Sequence, residues 1–153
     1  MSGIDERLFQ AVRTDDVDAA VAALKSGASA NYIHVEEDTT VRDRVPVLYA
    51  ACKKQNKELV ELLLAHGADP NAEYDQSATW GSEHEPCLFG ALSPSGPVKH
   101  PSAEIVRALL ESGADPNVPR VWRENFNNEV FAINRAWGNQ ELIALLRAYG
   151  AGK

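Results

Sequence analysis

The chain has 153 residues, of which 44% are hydrophobic and 24% charged, with a net charge of −7. That length suits one domain, 1–153, with a continuous core. The acidic balance argues against a nucleic-acid partner, because no basic stripe is available to release counterions. No apolar run approaches the roughly 20 residues that span a bilayer.

Met1 to Asp5 lacks the charged-then-apolar pattern of an export signal. Asp5 is placed to cap a first helix, with Leu8, Phe9 and Val12 inward and Gln10, Arg13 and Thr14 on its exposed face. An alanine-rich second helix follows, with Val21 and Leu24 as its bulk, and ends at Gly27-Ala28-Ser29-Ala30-Asn31. Ile33 and Val35, then Val41 and Val45, alternate with polar residues around Glu37-Asp38-Thr39. This predicts a β-hairpin finger, with Glu36 pairing with Arg42 across it and Asp43 interrupting its apolar face.

Leu48-Tyr49-Ala50-Ala51-Cys52 and Glu58 to Leu64 predict two helices joined by polar Lys53 to Lys57. Small Ala51 and Cys52 let the two approach closely. Gly67 stands where a left-handed residue ends a helix, and Asp69-Pro70-Asn71 forbids helical continuation. Ala72 to Pro86 reads as a long loop with a weak strand signal. It carries Glu73, Asp75, Glu83 and Glu85, interleaved with Tyr74, Trp80 and His84. Leu88 begins another helix. Pro94, Gly96, Pro97 and Pro101 keep Ser93 to Ala103 irregular, and Ser102 is placed to cap the next helix. Val118 to Asn128 is a third long loop, with Trp122 and Phe126. The last helical pair runs from Phe131 to Ala151, with Trp137 and Gly138 at its turn.

Glu58-Leu59-Val60-Glu61-Leu62-Leu63-Leu64-Ala65-His66-Gly67-Ala68-Asp69-Pro70-Asn71 returns as Glu104-Ile105-Val106-Arg107-Ala108-Leu109-Leu110-Glu111-Ser112-Gly113-Ala114-Asp115-Pro116-Asn117. Weaker copies are Asp18 to Asn31 and Glu141 to Ala151. Four copies of one phrase indicate a repeat protein. Leu48-Tyr49-x-Ala51-Cys52, Glu58-Leu59-Val60-x-Leu62-Leu63 and Gly67-Ala68-Asp69-x-Asn71 resemble the ankyrin repeat. The Thr-Pro-Leu-His opening usual in that family is replaced by Pro46-Val47-Leu48-Tyr49, Pro86-Cys87-Leu88-Phe89 and Glu129-Val130-Phe131-Ala132.

The resemblance implies an all-α fold: an α-solenoid of four helix-turn-helix repeats, at about 5–31, 47–71, 87–117 and 130–151, with long β-hairpin or loop fingers. The terminating glycines Gly27, Gly67, Gly113 and Gly150 lie 40, 46 and 37 residues apart. An ankyrin period is about 33, so the surplus falls in the fingers and in the insertion at Ser93 to Ala103. An apolar spine of Leu8, Leu48, Leu62, Leu63, Leu88, Leu109, Leu110, Ile133, Leu145 and Leu146 is expected. The resemblance also implies a reduced cytoplasmic protein, with Cys52 and Cys87 unbridged.

No phosphate loop, nucleophile elbow or paired-cysteine motif is present. His34, His66, His84 and His100 are scattered. Strand alternation puts Glu83 and Glu85 on the opposite face from His84, a poor arrangement for a dyad or a metal site. The family is a scaffold, so no enzymatic activity, cofactor or metal is expected. The expected function is protein–protein interaction through the hairpin edge and the concave inner-helix face, by a chain that is monomeric when unbound. The expected contact residues are Tyr32, His34, Lys53, Lys54, Tyr74, Trp80, Trp122 and Phe126, because large aromatics in polar loops commonly anchor interfaces. The aromatics have a plainer role open to them, packing finger against finger. The alternative function is an inhibitor or immunity protein whose acidic second loop blocks a basic cleft. A hydrolase using His84 and neighbouring carboxylates ranks third.

Overall fold

A computed structural model of the chain describes residues 3–79, 81–94, 100–123 and 127–152. Among these, eight helices and six strands follow one repeating order. The helices α1 (Gly3–Arg13) and α2 (Val17–Lys25) lead to strands β1 (Ile33–Glu37) and β2 (Val41–Pro46). Next come α3 (Val47–Lys54), α4 (Lys57–Ala65), β3 (Glu73–Ala78) and β4 (Gly81–Pro86). Then follow α5 (Cys87–Leu92), α6 (Ala103–Glu111), β5 (Arg120–Arg123) and β6 (Asn127–Val130). The short α7 (Ala132–Arg135) and α8 (Gln140–Ala148) close the order. Helices α1, α3, α5 and α7 pack in succession as an inner layer, and α2, α4, α6 and α8 as an outer one.

The all-α expectation is corrected here. The hairpins do not stand apart as separate fingers but join in one six-stranded antiparallel sheet, in the order β1-β2-β3-β4-β5-β6. The stretch after Asn71, expected to be loop, is the regular strand pair β3–β4, registered from Glu73↔Pro86 to Ala78↔Gly81. Its strand signal is weak because its residues are polar. The pairing comes instead from β2 and β5 on either side, which take up its outward backbone groups.

The apolar spine is buried except at Leu62 and Ile133, which are half-covered. The outer helices bury a second set: Leu59 and Val60, Ile105 and Val106, and Leu142. Three outer helices start on a true side-chain cap. Asp16, Asn56 and Asn139 accept the N–H of Ala19, Leu59 and Leu142 at 3.0, 3.2 and 3.1 Å. Ser102 makes no such bond; its own N–H donates to Gln55 Oε1 at 2.7 Å. Asp5 is not a cap either, because α1 begins at Gly3. Its carboxylate instead accepts the Ser29 N–H at 2.8 Å.

Gly67 and Gly113 end their helices at φ +87° and +104°, as the phrase requires. The asparagines that close the phrase link one repeat to the next. Asn31 Nδ2 donates to Gly67 O at 3.0 Å and its Oδ1 accepts from Asp69 N at 2.7 Å. Asn71 repeats both bonds on Gly113 and Asp115, and Asn117 donates to Gly150 O at 3.0 Å.

Candidate functional site

Strand register decides which side chains share a face, because directly opposed residues point the same way. His34 opposes Val45, Glu36 opposes Asp43, and Asp43 opposes Gln76. Gln76 opposes Glu83, Tyr74 opposes Glu85, and Glu83 opposes Trp122. All of these therefore lie on one face, together with Arg120, two residues from Trp122. This face meets the inner helices. The His34 ring stacks on Phe9 of α1 at 4.1 Å, and Tyr74 stacks on Tyr49 of α3 at 5.0 Å. The groove between sheet and inner helices is the candidate site.

Its groups are held by hydrogen bonds and ion pairs. At the N-terminal end, the Tyr32 hydroxyl donates to Glu6 Oε2 at 2.8 Å. His34 places Nδ1 3.0 Å from Glu6 Oε2 and Nε2 3.1 Å from Glu36 Oε1, and Arg13 reaches Glu36 at 3.6 Å. Hydrogen bonds from Gln10, Tyr32 and His34, the first the strongest, hold the Glu6 carboxyl below its ordinary range. Burial and the bond to Glu6 push the Tyr32 phenol up to about 12. In the middle, Asp43 Oδ1 accepts from Tyr74 and Gln76, both at 2.9 Å. The buried Glu85 accepts a short bond from the Tyr49 hydroxyl. Arg120 Nε lies 2.8 Å from Glu83 and 3.2 Å from Glu85. Burial, then the Glu85 charge, raises the Tyr49 phenol as well.

The expected contact residues divide by this geometry. Tyr32, His34, Tyr74 and Trp122 are brought to the groove face. Tyr32 and Tyr74 are half-buried there and spend their hydroxyls inside the molecule, which is the plainer packing role. Lys53 and Lys54 stand at the end of α3, Lys53 donating to Ser93 O and Lys54 pairing with Asp15 at 3.2 Å. Trp80 and Phe126 lie outside the described residues. Sequence reading missed Glu6, Phe9, Tyr49, Asp43 and Arg120 as parts of the site. Phe9 and Tyr49 occupy the same place in successive repeats, and that was the available signal.

Three sequence expectations change. Glu36 does not pair with Arg42; it opposes Asp43, and Arg42 opposes and pairs with Glu37 at 3.7 Å. Ile33 and Val35 are on the outer face of the sheet, 39% and 42% exposed, while polar His34 and Glu36 turn inward. Helix α1 explains this, since Phe9 and Glu6 offer His34 a ring and a hydrogen-bonding carboxylate, and Arg13 offers Glu36 an opposite charge. The acidic second loop is not one patch: Glu83 and Glu85 face the groove, whereas Glu73 and Asp75 face outward. His84 shares the outer face with Asp75, 3.8 Å away, with Glu83 and Glu85 behind it as alternation requires. Among the described residues no cluster of three or more His, Cys, Asp or Glu is placed to hold a metal ion, and no helix is long and apolar enough to cross a membrane.

Stacked helix pairs joined by hairpins, with a ladder of asparagine bonds from repeat to repeat, define a helical-repeat scaffold. The family model described as Ankyrin repeats (3 copies) matches residues 8–120, and the chain belongs to the ankyrin-repeat family. The match stops before the fourth helix pair, whose inner helix α7 has only four residues. No curated protein matches the chain. Ankyrin repeats are generally protein–protein interaction modules and typically non-catalytic.

Proposed function

We propose that the chain binds a partner protein in the groove between the inner sheet face and the inner helices, and performs no catalysis of its own. The observation that carries this reading is the joining of three enlarged hairpins into one sheet. One face of that sheet packs on the helices at its base and carries His34, Glu36, Gln76 and Trp122 along its length. A surface braced by so many internal hydrogen bonds loses little conformational entropy on binding. Lys53, Lys54 and Trp122 are the contact residues this reading favours, with Tyr32, His34 and Tyr74 bracing the surface from beneath and Trp80 and Phe126 as further contacts. The chain works as one domain, monomeric until bound, in a reducing cytoplasm that suits the buried thiols Cys52 and Cys87.

The test is affinity capture from the native host, identification of the captured protein by mass spectrometry, and remeasurement with Arg13→Glu and Trp122→Ala. Binding should weaken by about 1 kcal/mol or more with unchanged melting temperature. A captured partner indifferent to both substitutions would move the interface elsewhere. The inhibitor alternative has less support, because Glu85 is buried and the second hairpin's carboxylates are split between two faces. The hydrolase alternative lacks a carboxylate within hydrogen-bond reach of His84 among the described residues.

A further inference from the structure

At the edge of the stack opposite the hairpins, the inter-helix turns of the third and fourth repeats enclose a groove of about 690 Å³. Leu92, Pro94 and Pro101 form one wall, and Arg135, Trp137 and Gln140 the other. It lies at the far ends of α5 and α7 and shares no residue with the site described above.

Three observations make this groove more than a gap. First, hydrogen bonds brace the described residues on both sides of it. Gln55, itself held at φ +57°, donates to Ala91 O at 2.8 Å and accepts from Ser102 N at 2.7 Å. One side chain thus pins both ends of the inserted segment. Arg135 Nε donates to Ser93 Oγ at 2.7 Å, tying the opposite wall to the same segment. Second, Trp137 is 87% exposed, whereas the other exposed large apolar side chains of the described residues are covered by more than half. A large exposed aromatic at the rim of a groove is a typical anchor of recognition. Third, among the described residues the lining includes Arg135 and His100 but no Asp or Glu, although the chain as a whole carries a net charge of −7.

We propose that this groove docks a short extended segment of another protein that carries an Asp or Glu beside an aromatic or large aliphatic residue. The carboxylate pairs with the Arg135 guanidinium, and the apolar side chain lies between the Trp137 ring and the proline-bearing wall. Charge complementarity selects this occupant over a basic one, which would meet Arg135 with like charge.

The experiment pans a phage-displayed library of random dodecapeptides against the folded chain. Counter-selection uses a folded Arg135→Glu/Trp137→Ala double variant. Both positions are exposed, so the variant should keep the parent melting temperature. If it does not, Arg135→Gln alone replaces it. The proposal expects enriched peptides with an acid next to Phe, Trp, Leu or Ile. Their affinity should fall by about tenfold or more on the double variant and stay unchanged on Trp122→Ala. Basic consensus sequences, enrichment that survives the double variant, or no enrichment at all would overturn it. Peptides lost on Trp122→Ala but kept on the double variant would overturn it too, while supporting the sheet-side site.

Discussion

Asp5 accepts the backbone N–H of Ser29 at 2.8 Å. In the next two repeats the equivalent N–H groups, those of Asp69 and Asp115, are taken by Asn31 and Asn71 of the preceding repeat at 2.7 and 2.8 Å. The first repeat has no predecessor in the described chain, so its own helix supplies the missing acceptor. Asp5→Ala removes that acceptor and should lower stability by about 0.5–1.5 kcal/mol. Asn71→Ala breaks a donor and an acceptor bond between repeats and should cost more, about 1–3 kcal/mol. Urea titrations of both variants check the order; the reverse order would show that the ladder contributes less than the terminal bond.

Leu63 is fully buried between the helix layers, whereas Leu62, its neighbour, is half-covered. Leu63→Ala should cost about 2–5 kcal/mol, as a buried large-to-small change. Leu62→Ala should cost distinctly less in the same denaturant series. Equal losses would mean that the burial order of α4 is wrong.

Gly90 sits in the middle of α5, where a helix would ordinarily favour alanine. A methyl group there would lie 2.7 Å from Cε2 of the Tyr49 ring. That ring has nowhere to go: Tyr74 stacks on it at 5.0 Å and its hydroxyl is bound to buried Glu85. Gly90→Ala should therefore destabilise by about 1–3 kcal/mol, the usual cost of overpacking. Thermal melting decides it, and a gain in Tm would show that the Tyr49 ring yields.

The phenols give a pH signature. Tyr32 is raised to about 12, and Tyr49 and Tyr74 are raised as well, by burial first and then by Glu85 and Asp43 respectively. A phenol whose folded pKa exceeds its unfolded value of about 10 holds its proton more tightly when folded. Its stabilising contribution is complete below pH ~10 and is lost as the pH climbs toward the folded value. Urea midpoints measured upward from neutral pH should begin to fall near pH 10, and Tyr32→Phe should fall less steeply between pH 10 and about 12. A variant that tracks the parent curve over that window would show that Tyr32 ionises alike in both states.

Cys52 and Cys87 are both buried and unbridged. Burial, and then the hydrogen bond to Cys52, pushes the Cys87 thiol well above its ordinary range. Thiolate is the reacting form. Without reductant, the native protein should react slowly with a thiol reagent and yield both thiols promptly once denatured. A count of zero in denatured, freshly prepared material would reveal a disulfide.

The helix pairs were readable in the chain because their signals are local. Apolar spacing at helical period, a glycine after the last turn and an Asp-Pro-Asn stop each act within a few residues. The phrase Gly-Ala-Asp-Pro-Asn was readable too, but the work of its last residue was not: Asn31 and Asn71 act on the repeat that follows, 36 to 44 positions away. The second hairpin was hidden for a related reason. Its polar residues pair because β2 and β5 flank them, and a strand made by its neighbours carries little pattern of its own. The direction each hairpin side chain faces was likewise settled in three dimensions. Period-two alternation divides residues between two faces without saying which face meets the core. Helix α1 made that choice by setting Phe9, Glu6 and Arg13 beneath His34 and Glu36, so that the polar face turned inward and Ile33 and Val35 were left in solvent.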